Sequence, residues 1–121
     1  MATDPYHTFA ADLRSSLDQA RQLSQRYQAL QVQRNREAKS SSTYPQSPSN
    51  YRDNVDTQLH DTYNQLQEQL ETIENDINDV QESVEMLEKR GPALFNVDSA
   101  ELGRRKRFVQ SCTDEVRVSL S

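Results

Sequence analysis

At 121 residues, of which 33% are hydrophobic, the chain has room for one domain but too little apolar material for a thick globular core. A net charge of −5 sets it against nucleic acid and anionic membrane surfaces, and no apolar run approaches the roughly 18 residues of a membrane span. The single cysteine, Cys112, excludes an intramolecular disulfide, and a chain with two glycines, four prolines and no tryptophan suits long helices around a thin seam.

The first segment opens on MATDPYHTF, which lacks the basic and apolar regions of a secretory signal. Thr3 or Asp4 can cap the first amides of a helix, with Pro5 in its first turn, where a missing N–H costs nothing. Apolar residues then recur at Tyr6, Phe9, Leu13, Leu17, Ala20, Leu23, Tyr27 and Leu30, in steps of three and four with a slip at Ser16 and Leu17. This predicts an amphipathic helix over about residues 5–34. The stretch SSSTYPQSPSN, rich in serine with two prolines, predicts a loop over about 35–51, read as a solvated connector.

The clearest pattern follows: Val55, Leu59, Tyr63, Leu66, Leu70, Ile73, Ile77, Val80, Val84 and Leu87, with acids and amides between them. Four heptads of a narrow seam predict a long helix over about 52–90, on the order of 55 Å at 1.5 Å per residue. Lys89 and Arg90 suit its C-terminal end, and Gly91-Pro92 stops it. The third helix, about 98–120, is introduced by Phe95-Asn96-Val97. Asp98 is placed as its cap, Glu101 to reach back to the Asp98 amide, and Val97 with Leu102 to form a hydrophobic staple. Leu102, Val109, Cys112, Val116 and Leu120 mark its stripe; Gly103 weakens the first turn by about 1 kcal/mol relative to alanine. A buried thiol is the expected role of Cys112.

Three helices with one apolar stripe each must bury those stripes together. The predicted fold is all-α, a single antiparallel up-down-up three-helix bundle over residues 1–121, the short link after Arg90 making the second and third helices antiparallel neighbours. Charge divides by segment: residues 1–40 carry +2, 41–55 none, 56–92 carry −8 and 93–121 carry +1. The middle helix is the acidic member.

The run Arg104-Arg105-Lys106-Arg107 then separates by geometry, since four successive helical side chains fan around the circumference. Arg105 and Lys106 flank the stripe, about −60° and +40° from Leu102, and are expected to lay their stems over the seam and send their charges to acids of the middle helix. Arg104 and Arg107 point away, and with the off-stripe Phe108 they are the candidate partner-binding residues. A nucleic-acid or nuclear-import reading lacks the sustained basic face or disordered tail it needs. No phosphate-cradling glycine loop, HExxH or cysteine pair is present, and His7 and His60 belong to different segments. The chain is therefore read as a non-enzyme without cofactor or metal, the acids of 68–88 forming a solvated face.

Asp4-Pro5-Tyr6, and above all Phe95-Asn96-Val97-Asp98, Glu101-Leu102, Arg105-Lys106, Phe108-Val109 and Ser111, resemble the N-terminal three-helix (Habc) domain of the syntaxin 6 family of Qc-type SNAREs, including its fungal late-Golgi/endosomal counterpart. In that family the third helix is introduced by Phe-Asn-(Leu/Val)-Asp-x-x-Glu-Leu-x-x-Arg-Lys-x-Phe-(Ile/Val). The Ser/Pro insertion is longer than the family pattern, and nothing in the chain corresponds to the SNARE motif or membrane anchor, both expected to follow Ser121. The resemblance implies a regulatory docking domain on the cytosolic face of trans-Golgi and endosomal membranes, serving retrograde endosome-to-Golgi traffic. Its implied partner is a tether, the Golgi-associated retrograde protein complex through its fifty-first vacuolar-sorting subunit, with other SNAREs engaged through the missing motif. The domain is expected to be monomeric, soluble as a fragment and not inserted into membrane. Periodicity alone fits a spectrin-like three-helix spacer equally well, but the absent tryptophan and the capped start disfavour it.

Overall fold

Pro5 and Asp4 start the first helix as the sequence requires: the Asp4 carboxylate accepts from the Tyr6 amide at 3.1 Å, and the Phe9 amide donates to the Pro5 carbonyl at 3.2 Å. The computed structural model describes the backbone of residues 4–41, 49–91 and 95–120, and the side chains of all of these but 38–41, 49–53 and 119–120. Helix α1 runs Tyr6–Ser41, α2 Ser49–Arg90 and α3 Ser99–Glu115, followed by a π-helical turn, Val116–Leu120. The described residues include no strand.

Both helices flanking the Ser/Pro stretch are longer than their apolar patterns. The predicted 35–51 loop is corrected at both ends, because residues 35–41 continue α1 and 49–51 already belong to α2; its centre, 42–48, with Pro45 and Pro48, lies outside the described residues. Loss of an apolar stripe does not end a helix whose residues favour helix intrinsically. Arg34, Arg36, Glu37, Ala38 and Lys39 do so, and Gln33 donates to Glu37 at 3.4 Å one turn on. At the other end of α2, the Gly91 amide closes on the Leu87 carbonyl at 2.8 Å with φ +95°, a conformation glycine adopts without a Cβ penalty.

Cross-helix contacts fix the directions. Ser16 meets Asp76 at 2.7 Å and Arg34 meets Asp56 at 3.0 Å, so α2 descends as α1 rises. Arg105 reaches Asp4 at 2.7 Å and Arg21 reaches Glu115 at 2.6 Å, so α3 runs parallel to α1. Lys106 pairs with Glu88, while Thr113 and Val116 share a groove with Glu74 and Ile77, so α3 is antiparallel to α2. This is the up-down-up bundle.

The core divides in two. Tyr6, Ala10, Leu13, Leu17 and Ala20 of α1 pack with Leu66, Leu70, Ile73, Ile77, Val80 and Val84 of α2 and Cys112 of α3. Beyond the end of α3, Leu30, Val55 and Leu59 form a smaller cluster with half-buried Tyr27. The slip at Ser16 is filled by polar chemistry: its hydroxyl donates to Asp76, and its carbonyl accepts from Gln69 at 3.1 Å. One seam position departs from expectation, since Tyr63 is 48% exposed whereas Thr62 is 2% exposed. Tyr63 lies one heptad before Leu70 and two before Ile77, on a row buried further along. The 17 residues of α3 span about 26 Å against about 63 Å for the 42 of α2, and Tyr63 falls where this cover has ended.

Candidate docking surface

The start of α3 is built from Asp98, whose carboxylate accepts from the Glu101 amide at 2.7 Å, beside buried Val97. The reciprocal half of the expected capping box is not made. Glu101 instead accepts from Arg104 Nε at 2.8 Å and Arg105 Nε at 3.2 Å, because two guanidinium groups within one turn attract the carboxylate more strongly than a backbone amide does.

Arg105 is 2% exposed, and its partners correct the expected route to the middle helix. Its guanidinium grips Asp4 at 2.7 and 3.3 Å and stacks 4.2 Å from the centre of the Tyr6 ring. The two sides of the α3 stripe face different neighbours, α1 for Arg105 and α2 for Lys106, and only Lys106 meets an α2 acid, Glu88. Asp4 is an acid on a segment of net positive charge, so summing charge by helix hides it. Partial burial pushes the Asp4 carboxyl up, but hydrogen bonds from Arg105 and the Tyr6 amide, with the charges of Arg105 and His7, outweigh it and hold it below its ordinary value. Hydrogen bonds from Arg104 and then Arg105 likewise lower Glu101. The corner therefore joins Asp4-Pro5-Tyr6 to the third-helix string, more than ninety positions apart in the chain.

Phe108 is half-buried against the main core, edge-on to Tyr6 with ring centroids 6.3 Å apart, and the Arg14 guanidinium lies 4.7 Å over its face. Arg104 is exposed but tied to Glu101. Arg107 is exposed and folds back along its own helix, its guanidinium 3.5 Å from where a Cβ on Gly103 would stand. Arg104 and Phe108, four residues apart, thus share the α1-facing edge of α3, while Arg107 lies about 100° away from Phe108. Of the other aromatics near this corner, Tyr6 is buried and Phe95 is half-buried.

Along this edge runs a groove of about 350 Å³ between α1 and α3, with Arg14, Asp18 and Arg21 on one wall and Phe108, Ser111 and Glu115 on the other. Arg21 is committed to Asp18 at 2.9 Å and Glu115 at 2.6 Å, whereas Arg14 makes no ion pair among the described residues and rests on Phe108. Cys112 forms part of the floor; burial, then the nearby Glu115, raises its thiol above the ordinary value, which leaves it a packing group. Sequence reading missed Arg14. Its signal was faint: a base three residues before Leu17, just off the stripe of a basic segment.

Among the described residues, no helix is long and apolar enough to cross a membrane, and no group of three or more His, Cys, Asp or Glu side chains is placed to hold a metal ion. No solved structure matches the chain. A stretch of 56 residues, 46% of this chain, is 41% identical to chicken (Gallus gallus) Syntaxin-6 and covers 22% of that protein's length. The family described as Syntaxin 6/10/61, N-terminal, matches residues 4–119, which takes in both halves of the Asp4–Arg105 corner; the chain belongs to that family.

Proposed function

We propose that this domain is the regulatory, docking half of a SNARE-type protein of vesicle traffic, working at the cytosolic face of trans-Golgi and endosomal membranes in retrograde transport. The family match over residues 4–119 carries the reading and favours it over a spectrin-like spacer. The domain binds; fusion belongs to segments outside the 121 residues. Its partners in this reading are a tethering complex of the Golgi-associated retrograde type and, through a SNARE motif, other SNAREs.

The tether peptide is assigned to the groove between α1 and α3. A groove between two helices suits an amphipathic segment, and this one offers a partly exposed aromatic, Phe108, under Arg14, a cation with no ion pair among the described residues, while Arg104 stands one turn from Phe108 along α3. An acidic peptide with an apolar anchor fits that chemistry. Arg107 contributes from the outer edge by charge alone.

A titration of the domain with the tether's N-terminal peptide tests this. Arg14→Glu combined with Arg104→Glu should weaken binding at least about tenfold, Arg107→Glu should weaken it less, and Phe108→Ala should remove most of it, with helicity followed by far-UV circular dichroism. Unchanged affinity in the folded Arg14/Arg104 variant would place the peptide elsewhere.

A further inference from the structure

The α3-facing rows of the bundle do not stop where α3 stops. On α1, Arg14, Leu17, Asp18 and Arg21 line α3, and two heptads on from Arg14, Leu17 and Asp18 stand Gln28, Gln31 and Val32. On α2, Glu74, Ile77 and Asn78 line the end of α3, and two heptads back stand His60, Tyr63 and Asn64. Among the described residues the exposed large hydrophobics are Val32, Tyr63 and Val118, so both of those on the arm, the stretch of the α1–α2 pair beyond the end of α3, occupy the uncovered rows. Behind them, Leu30, Val55 and Leu59 pack, among the described residues, within α1 and α2 alone, and Tyr27 leans on Tyr63 with ring centroids 6.3 Å apart.

We propose that two copies of this chain pair through these arms, the open face of each α1–α2 hairpin closing on the other to complete a four-helix bundle. The charge distribution selects a second copy as the occupant. The chain carries −5 and its middle segment −8, so most approaches of one copy to another are repulsive. The open face carries no net charge: the rows hold Ser24, Gln25, Gln28 and Gln31 on one helix and His60, Asn64 and Gln67 on the other, none formally charged at neutral pH, and the two charges beside Gln31, His60 and Tyr63, Arg34 and Asp56, pair with each other at 3.0 Å. Each amide side chain both donates and accepts, so it can pair with a like group across a two-fold axis, whereas a charged face would repel its own copy. Two hairpins meeting face to face also bury both copies of Val32 and Tyr63 at once.

The face is small. About 20 Å of two helices offers on the order of 400 Å² per copy, about half the roughly 800 Å² per partner of a standard specific interface and in the range of weak, transient contacts. The monomeric expectation therefore becomes a monomer–dimer equilibrium that concentration shifts.

Sedimentation equilibrium of the 121-residue chain, from micromolar to near-millimolar concentration, is the test. The mass should rise toward the dimer, persist in about 1 M salt because the contact is not ionic, and return to monomer in Val32→Glu/Tyr63→Glu with the dissociation constant raised at least about tenfold. Both sites are about half exposed in the monomer, so the variant should keep its helicity, and Tyr63→Phe should keep the dimer. A mass that stays monomeric throughout would overturn the proposal. So would a dimer that survives the double substitution, or one that salt dissolves.

Discussion

The two ends of this molecule use the same α1–α2 pairing with different cover. At one end α3 lies across the pair, and Leu13, Ile73 and Val80 are fully buried among three helices. In the arm, among the described residues, two helices alone bury Leu30, Val55 and Leu59, the cross-helix pair Arg34–Asp56 is half-exposed, and one face is left open. The contrast shows what a third helix adds to a coiled-coil seam: a neighbour for the row 63/70/77/84, whose last three members are buried while the first stands in solvent. Under that cover Arg105, Asp4, Glu101 and Tyr6 also converge, where α3 meets the N-terminal end of α1.

The sharpest way to break this comparison is to empty one core position at each end. Ile73→Ala removes a fully buried side chain among three helices and should cost about 3–4 kcal/mol, whereas Leu59→Ala in the arm should cost about 2 kcal/mol, because an open flank relaxes into the space. Urea unfolding of both variants measures the difference, and equal losses would mean that α3 adds no packing advantage.

Next in size is the corner. Asp4→Asn leaves Arg105 buried with Glu101 alone and should cost about 2–3 kcal/mol in the same assay. Its pH dependence carries a sign. Asp4 and Glu101 both have folded-state values held below the ordinary carboxyl range, so their stabilisation is complete above about pH 4 and is lost as pH falls through those lower values. The Asn variant should lack the Asp4 part of that acid loss. The smallest effect is expected for Arg34→Ala, which opens an exposed arm pair and should change stability by less than about 1 kcal/mol.

Much of the bundle was legible residue by residue. The heptads from Leu66 to Leu87, the Asp98 cap, the Gly91 stop and the buried Cys112 follow from periodicity and capping chemistry, which act within a few residues of chain. Helix ends at Ser41 and Ser49 were not, because polar residues of good helix propensity carry no stripe to read. The proposed site was legible only on one helix. Phe108 and Arg104 are off-stripe residues of α3 that the sequence singles out with Arg107, which lies about 100° from Phe108 around the helix, but Arg14 opposite them belongs to another helix.

The sequence by itself determined three amphipathic helices, where they are capped or stopped around Gly91 and Asp98, and that they belong together, since local backbone chemistry and one-dimensional periodicity suffice for all of these. Only the tertiary structure decided the partners. Which of two neighbouring helices each flank of α3 meets depends on how the helices are rotated against one another, and that rotation gave Arg105 to Asp4 and Lys106 to Glu88. How far α3 reaches along the α1–α2 pair set the other division, between a seam that is closed and an arm where Tyr63 and Val32 remain uncovered.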